Sequence, residues 1–502
     1  EHIFTEIINN LMKTKLSRKL GILGLTATGI CSMMGASIYI MPFMIHRSVP
    51  GIGPYVLYAF LLAAVPAVLA AFAYSILASA MPRAGGSYIY ASRGLHPYFG
   101  FVASFSQWFG LSIVIGVISY VIVPFVRDVA LALDWNEIAS LLEIGWIRLT
   151  IAIALLWTFV FINILGADFY EKTLIPLMFI MFGLGTIIIF SGLYFDHHDF
   201  LDSLQAKDGQ AYIIKTVSDF NIKSFFSAAA VLFASFIGFD SIAQAGGEAR
   251  EPSKTLPIAI ALTITGVGAF YMLFTFSVYH TVPWSFIADR AIDSDLTAPG
   301  LFSYLLSPGL SAAIIAGAAI ALINDLPAML LSVSRLMFSW AKDGIFPDLI
   351  SNIHPVYQTP HTAILLSGGM ATFGIFGSHF AGDFFLGIDI MVTSMMVNFL
   401  LMCVTLIMIK KKNKILYEKI SILKNRLVQV ILGWAGVISL VTFLMIHTWK
   451  DLTSNPEYWY YHSTIIYAIV MIFGSMVFFV KFGMLKTKGI DTKKLFQSLP
   501  NE

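Results

Sequence analysis

Twelve α-helices crossing a membrane account for this chain, and three features lead there. Of its 502 residues 58% are hydrophobic and 12% charged, with a mean hydropathy of +0.80, whereas a soluble domain carries about 25% charged residues. Apolar stretches of roughly 20 residues, the length that one bilayer crossing needs, recur along the whole sequence. Lys and Arg gather in alternate segments between those stretches. Lipid offers no partner to an unpaired backbone N–H or C=O, so the stretches are helices. A β-barrel would show short alternating segments, and the sequence has none.

The elements follow in order. After a polar N-terminal segment, 1–20, span 1 covers 21–44 and contains "CSMMGASIYIMP" (31–42), whose Gly35, Ala36, Ser37 and Pro42 are poor helix formers in the middle of an apolar run. Spans 2 to 5 cover 54–80, 98–130, 146–165 and 172–194, and a long acidic segment, 195–224, follows. Span 6, 225–247, carries "FASFIGFDSIAQAGG" (233–247), again interrupted, by Gly238, Asp240 and a closing Gly pair. Span 7 covers 257–281, a second acidic segment 282–308, and spans 8 to 10 cover 309–340, 361–377 and 384–409. The basic linker "KKKNKILYEKISILKNR" (410–426) separates these from spans 11 and 12, 427–448 and 459–480, and from a tail, 481–502.

Placing both termini in the cytoplasm leaves eight of the 31 Lys and Arg outside: Arg47, Arg127, Arg148, Lys207, Lys215, Lys223, Arg290 and Lys450. That asymmetry predicts a multi-pass protein of the plasma membrane. It also explains the net charge of +2, so no nucleic-acid partner is read from it. The two cysteines, Cys31 and Cys403, lie inside spans, which predicts neither an extracellular disulfide nor a Cys-based zinc site. The first apolar segment is too long and too polar-studded for a signal peptide. The chain opens on Glu1 rather than Met, which points to trimmed leading residues.

The two interruptions lie five helices apart, so they sit in helices of opposite orientation. Such a pair points to an inverted repeat, 21–194 and 225–409, whose broken helices meet at mid-membrane. An unwound segment survives in lipid where its freed backbone groups face a cavity or a ligand. Exposed N–H groups at the start of a half-helix favour a carboxylate, and exposed C=O groups favour an ammonium or a cation.

Four blocks carry a resemblance. "MMGASIYIMP" is similar to the helix 1 signature of the amino acid–polyamine–organocation family of permeases, a Gly-Ser/Thr-Gly-Ile-Phe core followed by Pro. "AMPRAGGSYIYASRGLHPYFGF" (80–101) resembles that family's loop between helices 2 and 3. "FIGFDSIAQAGGEAREPSKTLPIAI" (236–260) resembles its helix 6 and exit loop, and "SRLMFSWAKDGIFPDLI" (334–350) the end of its helix 8. The resemblance implies a LeuT-type core of five plus five helices with helices 1 and 6 broken, two peripheral helices, and alternating-access transport of an amino acid or related amine. By position, it implies that Gly35, Ala36 and Ser37 offer N–H groups to a substrate carboxylate and that Met33 lines the pocket. Phe233, Ala234 and Phe236 would supply carbonyls and an aromatic gate, beside Gly238 and Asp240. Ser37 departs from the third signature glycine, and Gly247 from the first of two acids in the exit loop. "PLMFIMFGLG" (176–185) lacks the helix 5 lysine that some members use in place of sodium.

Two intramembrane acids stand out, since a carboxylate at a bilayer centre costs at least about 2.5–3.5 kcal/mol unless paired or hydrated. Asp240 reads either as a complement to a substrate ammonium or as a cap on backbone N–H groups freed by the break. Asn324 and Asp325, in "AIALINDLPAML" (319–330), read either as a site for Na+ or H+ coupling or as a structural pair beside Pro327. "DHHD" (196–199) reads as a solvated segment rather than a metal site, because four adjacent residues do not converge on one ion. Arg83, Arg93, Arg335 and Lys342 mark the cytoplasmic edge, where they anchor orientation or pair with Glu248 and Asp343 in an inner gate. No clustered catalytic set occurs, so the chain is not read as an enzyme and no cofactor is expected beyond a coupling ion. The pocket's fixed charges are acids, which favours a neutral or cationic amino acid, moved by exchange or cation-coupled symport. A polyamine or inorganic-ion transporter on the same fold, or a sensor that binds without transporting, remains the alternative. The 131–145 segment has no cysteine, so no disulfide-linked accessory subunit is expected.

Overall fold

The computed structural model describes residues 16–209, 211–215, 219–294, 296–381, 384–454 and 459–500; at Ala36, Ser37, Asp208, Ala381, Phe384 and Phe385 the description covers the backbone alone. Among them, twelve helical units are long and apolar enough to cross a membrane, and strands are absent. The fold is all-α with twelve spans. The spans are α1a (Ile22–Met33) and α1b (Ala36–Ser48), α2 (Val56–Ala80), α3 (Pro97–Ala132), α4 (Gly145–Ile164) and α5 (Ala167–Tyr194). The second set is α6a (Ile222–Leu232) and α6b (Ser241–Gln244), α7 (Pro252–Thr281), α8 (Pro308–Lys342), α9 (His361–Ala381) and α10 (Phe384–Lys412). Last come α11 (Arg426–Thr453) and α12 (Ser463–Thr487).

Helix ends differ from the hydropathy reading where charge hides a helix. α5 starts at Ala167, five residues early, because its first turns carry Asp168, Glu171 and Lys172, which a hydropathy window rejects. Lys19 meets Asp168 at 2.5 Å there. α12 starts later, at Ser463, after a separate turn at Trp459–Tyr461, and runs on to Thr487 through Lys481 and Lys486. The segments joining α5 to α6a and α7 to α8 hold short helices, His197–Asp208, Trp284–Asp293 and Ala298–Phe302. Asp196 starts the first of them, accepting from the backbone N–H of His198 and Asp199 at 2.8 and 3.0 Å, while the Asp199 carboxylate accepts from the Asp196 N–H. Lys215 and Tyr212 both bond Asp289 at 2.8 Å, which ties these segments together.

Burial separates inner from outer helices. The most apolar windows of α3, α6, α8 and α10 are 72–83% buried, against 28% for α5 and α11 and 11% for α12. The inner four, with α1, surround the two breaks. One end of the bundle carries Lys19, the 410–426 linker and the C-terminal tail, and is called the basic end below. Its closure is extensive. Leu20 donates to the Glu248 carbonyl and Arg250 to the Leu20 carbonyl, at 3.0 and 2.9 Å. Arg335 donates to Glu248 at 2.5 Å, and Arg93 grips Asp343 through both terminal nitrogens at 2.5 and 2.7 Å. The tail lies across the same end, with Arg83, Arg93 and Asn413 donating to the carbonyls of Pro500, Ser498 and Gln497.

Candidate functional site: two broken helices around an apolar cavity

α1 stops at Met33 and restarts at Ala36, with Met34 still bonded back to the Ile30 carbonyl at 2.8 Å. α6a tightens into a 3-10 turn at Phe233–Phe236, passes through extended Ile237, and resumes at Ser241. The turn between needs Gly238, whose φ of +135° is rarely adopted by a residue with a side chain. A methyl there would lie 2.2 Å from the Ser32 carbonyl, so the two breaks touch backbone to backbone. Ser32 and Ser241 share a hydrogen bond of 2.9 Å across the contact.

The two intramembrane acids sit in different surroundings. Asp240 accepts from the Gly238 N–H at 3.1 Å and from the Gln107 amide. Gln107 in turn accepts from Ser87, Gln244 and Asn398 at 2.6, 3.0 and 3.2 Å, and Asn398 also donates to Tyr74. A buried hydrogen-bond network of this kind holds the unwound segment in one shape. Asp325 is as buried, at 3% exposure, yet its Oδ1 has no hydrogen-bond partner. A methyl on Gly35 would fall 1.5 Å from Asp325 Oδ2, so that carboxylate rests directly on the α1 break. Asn324 points elsewhere, donating to Cys31 Sγ at 2.8 Å.

A narrow cavity lies between the breaks and the helices facing them. Ile40 and Met41 of α1b, Val117 of α3, Ile237, Met329 of α8 and Met391 of α10 form apolar walls. Among its described lining residues, Ser32 and Asp325 supply the polar side chains. α1b and the first turns of α10 lie away from the basic end, so the cavity extends from mid-bundle toward the far end.

The residues singled out from sequence are placed as follows. Gly35 and Gly238 form the backs of the two breaks, and Ala234 lines the cavity. Met33 is buried, and its carbonyl accepts from Tyr271 at 2.5 Å. Phe236 packs on Phe60 and Tyr271, and Phe233 on Phe399 and Phe443, both away from the lining set. The side chains of Ala36 and Ser37 lie outside the described residues. Asp196, His197 and His198 diverge, to the helix start, the Thr281 carbonyl and Asp202, and no group of three metal-ligating side chains forms among the described residues. Sequence reading missed Gln107, Gln244 and Asn398, polar residues within apolar runs whose convergence requires three separate helices to pack. It also missed the apolar wall residues, which sequence alone does not separate from core.

Twelve spans with facing breaks in the first and sixth form an architecture of the amino acid–polyamine–organocation class. The chain belongs to the amino acid permease family, whose profile matches residues 20–477. It is similar to the vacuolar cationic amino acid transporter 2 of Arabidopsis thaliana, 30% identical over 149 residues, which are 30% of this chain and 23% of that protein. The branched-chain amino acid permease of Bacillus subtilis is 29% identical over 148 residues, covering 29% of this chain and 30% of that one. The low-affinity putrescine importer of Escherichia coli K12 is 22% identical over 298 residues, 58% of this chain and 60% of its own length. The matches thus span between about a quarter and three fifths of these relatives.

Proposed function

We propose that the chain carries a small ammonium-bearing solute across the membrane by alternating access, as an exchanger or a cation-coupled symporter. The observation that carries this reading is the cavity at the two breaks, whose one ionisable lining group among the described residues is an acid, Asp325. An ammonium is the group that offsets a carboxylate held away from water. Three relatives bear names that specify cationic amino acids, branched-chain amino acids and putrescine, all of which present an ammonium. Neutral and cationic amino acids and simple amines therefore form the candidate class. Closure at the basic end with a cavity toward the far end is one of the two states that alternating access requires. The basic end faces the cytoplasm of the plasma membrane in this reading.

Counterflow tests it. Proteoliposomes preloaded with a mixture of amino acids and amines should take up labelled members of that class, with and without sodium and pH gradients. Gly35→Leu, which drives a side chain into the place of Asp325, should abolish the uptake. Failure to exchange any ammonium solute, by a protein that is folded in the vesicles, would sink the proposal.

A further inference from the structure

From the course of residues 489–500 over the basic end, we infer that this segment is a latch: docked, it holds that end shut and restrains transport, and released, it lets the end open. The inference rests on the transport reading and adds a control to it.

The segment is aimed at the closure from its first residue. α12 ends in a turn at Gly489, φ +76°, whose N–H bonds the Lys486 carbonyl at 3.0 Å while the Ile490 N–H bonds the Leu485 carbonyl at 3.1 Å. A short helix, Thr492–Leu495, follows, with the Lys494 N–H on the Asp491 carboxylate at 3.1 Å. Beyond it three main-chain carbonyls accept from three side chains: Gln497 from Asn413 at 3.0 Å, Ser498 from Arg93 at 3.2 Å and Pro500 from Arg83 at 3.0 Å. Those donors stand on separate pieces of the closure. Arg83 and Arg93 lie between α2 and α3, and Asn413 follows α10. The α2–α3 segment is pressed in turn on α6b and the residues after it. Gly85 donates to the Gln244 carbonyl at 3.1 Å, and a methyl on Gly246 would lie 2.6 Å from the Arg83 carbonyl. A shift of one piece against another breaks a bond to residues 497–500, so docking favours the closed arrangement.

Phe496 carries the coupling further. Its ring is 5% exposed and lies 5.0 Å from the Arg93 guanidinium, whose partner Asp343 follows α8. With the ring in place, the Arg93 and Asp343 side chains are 0 and 1% exposed. Two charges attract more strongly away from water than in contact with it. Docking thus tightens the bond between the α2–α3 segment and the end of α8, and undocking lets water loosen it. The latch is also able to let go. Of residues 489–500, Phe496 is buried and Leu495 and Leu499 partly so, while Lys493, Lys494, Gln497 and Ser498 are exposed. A segment that buries so little detaches more readily than the helices it crosses.

The test compares the full chain with one that stops after Gly489. In detergent, the shortened chain should exchange the Gly85 amide, whose bond to Gln244 spans the closure, about ten-fold faster or more. The peptide IDTKKLFQSLP (490–500), added at about 1 mM to match a tethered segment, should slow it again, and the same peptide with Phe496→Ala should not. In proteoliposomes preloaded with amino acids and amines, counterflow by the shortened chain should rise about three-fold or more. Should that chain not fold, Phe496→Ala and Arg83→Ala in the full chain loosen the same contacts and should move both readouts the same way by less. Native exchange at Gly85 in a folded variant overturns the latch, as does faster exchange that the peptide leaves unchanged. Faster exchange with counterflow at or below that of an active full chain overturns the restraint on transport. Faster exchange that the peptide reverses, with no counterflow by either chain, overturns the transport reading and leaves the segment as the fastening of that end.

Discussion

Gly238 holds its backbone at φ +135° with the Ser32 carbonyl where a methyl would go, so the contact between the two breaks depends on a missing Cβ. Gly238→Ala should lower stability by about 1–3 kcal/mol through overpacking and strain. Transport should fall with it, and thermal unfolding in detergent beside a counterflow assay checks both; a native Tm would contradict the account. Asp240 is a different case. Its two oxygens accept from the Gly238 N–H and the Gln107 amide, and Gln107 cannot turn around because its oxygen already serves three donors. Asp240→Asn therefore leaves one N–H facing another, a loss of about 1–3 kcal/mol for an unsatisfied buried group. The Tm should fall while the order of preference among solutes stays native. A changed order in Asp240→Asn would assign substrate contact to Asp240 as well.

Between elements, the ion pair of Arg335 on α8 with Glu248 after α6b closes the basic end at 3% exposure on each side. Breaking a buried pair by removing one partner costs about 3–5 kcal/mol. In the proposed alternating access the pair joins segments that part when this end opens, so the cost falls on the closed state. Arg335→Ala should raise amide hydrogen exchange at Leu20 and Arg250, whose backbone bonds lie beside the pair. Unchanged exchange there would remove the pair from the closure. At the far end, hydrogen bonds from the backbone N–H of Asp199 and His198 hold the Asp196 carboxyl below its ordinary pKa. A depressed carboxyl contributes stability above its unfolded pKa and loses it as pH falls through the folded value. The helix His197–Asp208 should thus exchange its amides slowly at neutral pH and faster, after correction for the intrinsic rate, once pH drops below the usual carboxylate range.

For the whole molecule, the twelve spans among the described residues place the two ends of the bundle's chain on one side, and the proposed reading puts that side in the cytoplasm. An epitope inserted after Lys488 should be reached by antibody only after cells are permeabilised, whereas one at Gly209 should be reached in intact cells. The reverse pattern would invert the orientation. Much of this scale was legible beforehand. Twelve spans followed from hydropathy because lipid imposes a length and an apolar composition on every crossing. The edges drifted where charge enters a helix, as at Asp168–Lys172 and Lys481–Lys486. The two breaks were legible through Gly35, Gly238 and Asp240, since small and acidic residues within a span need a local reason.

By itself, the sequence determined how many times the chain crosses a membrane, where two of those crossings unwind, and that two carboxylates lie at depth. Those properties are local, set by composition within a single helix. Which carboxylate meets the cavity was decided only by tertiary packing. Asp240 and Asp325 both read as buried acids, but one is held by Gln107 of α3, which Gln244 of α6b and Asn398 of α10 hold in turn. The other rests on Gly35 and lines the cavity. Such a difference depends on residues hundreds of positions apart reaching one point, and no local pattern encodes that distance.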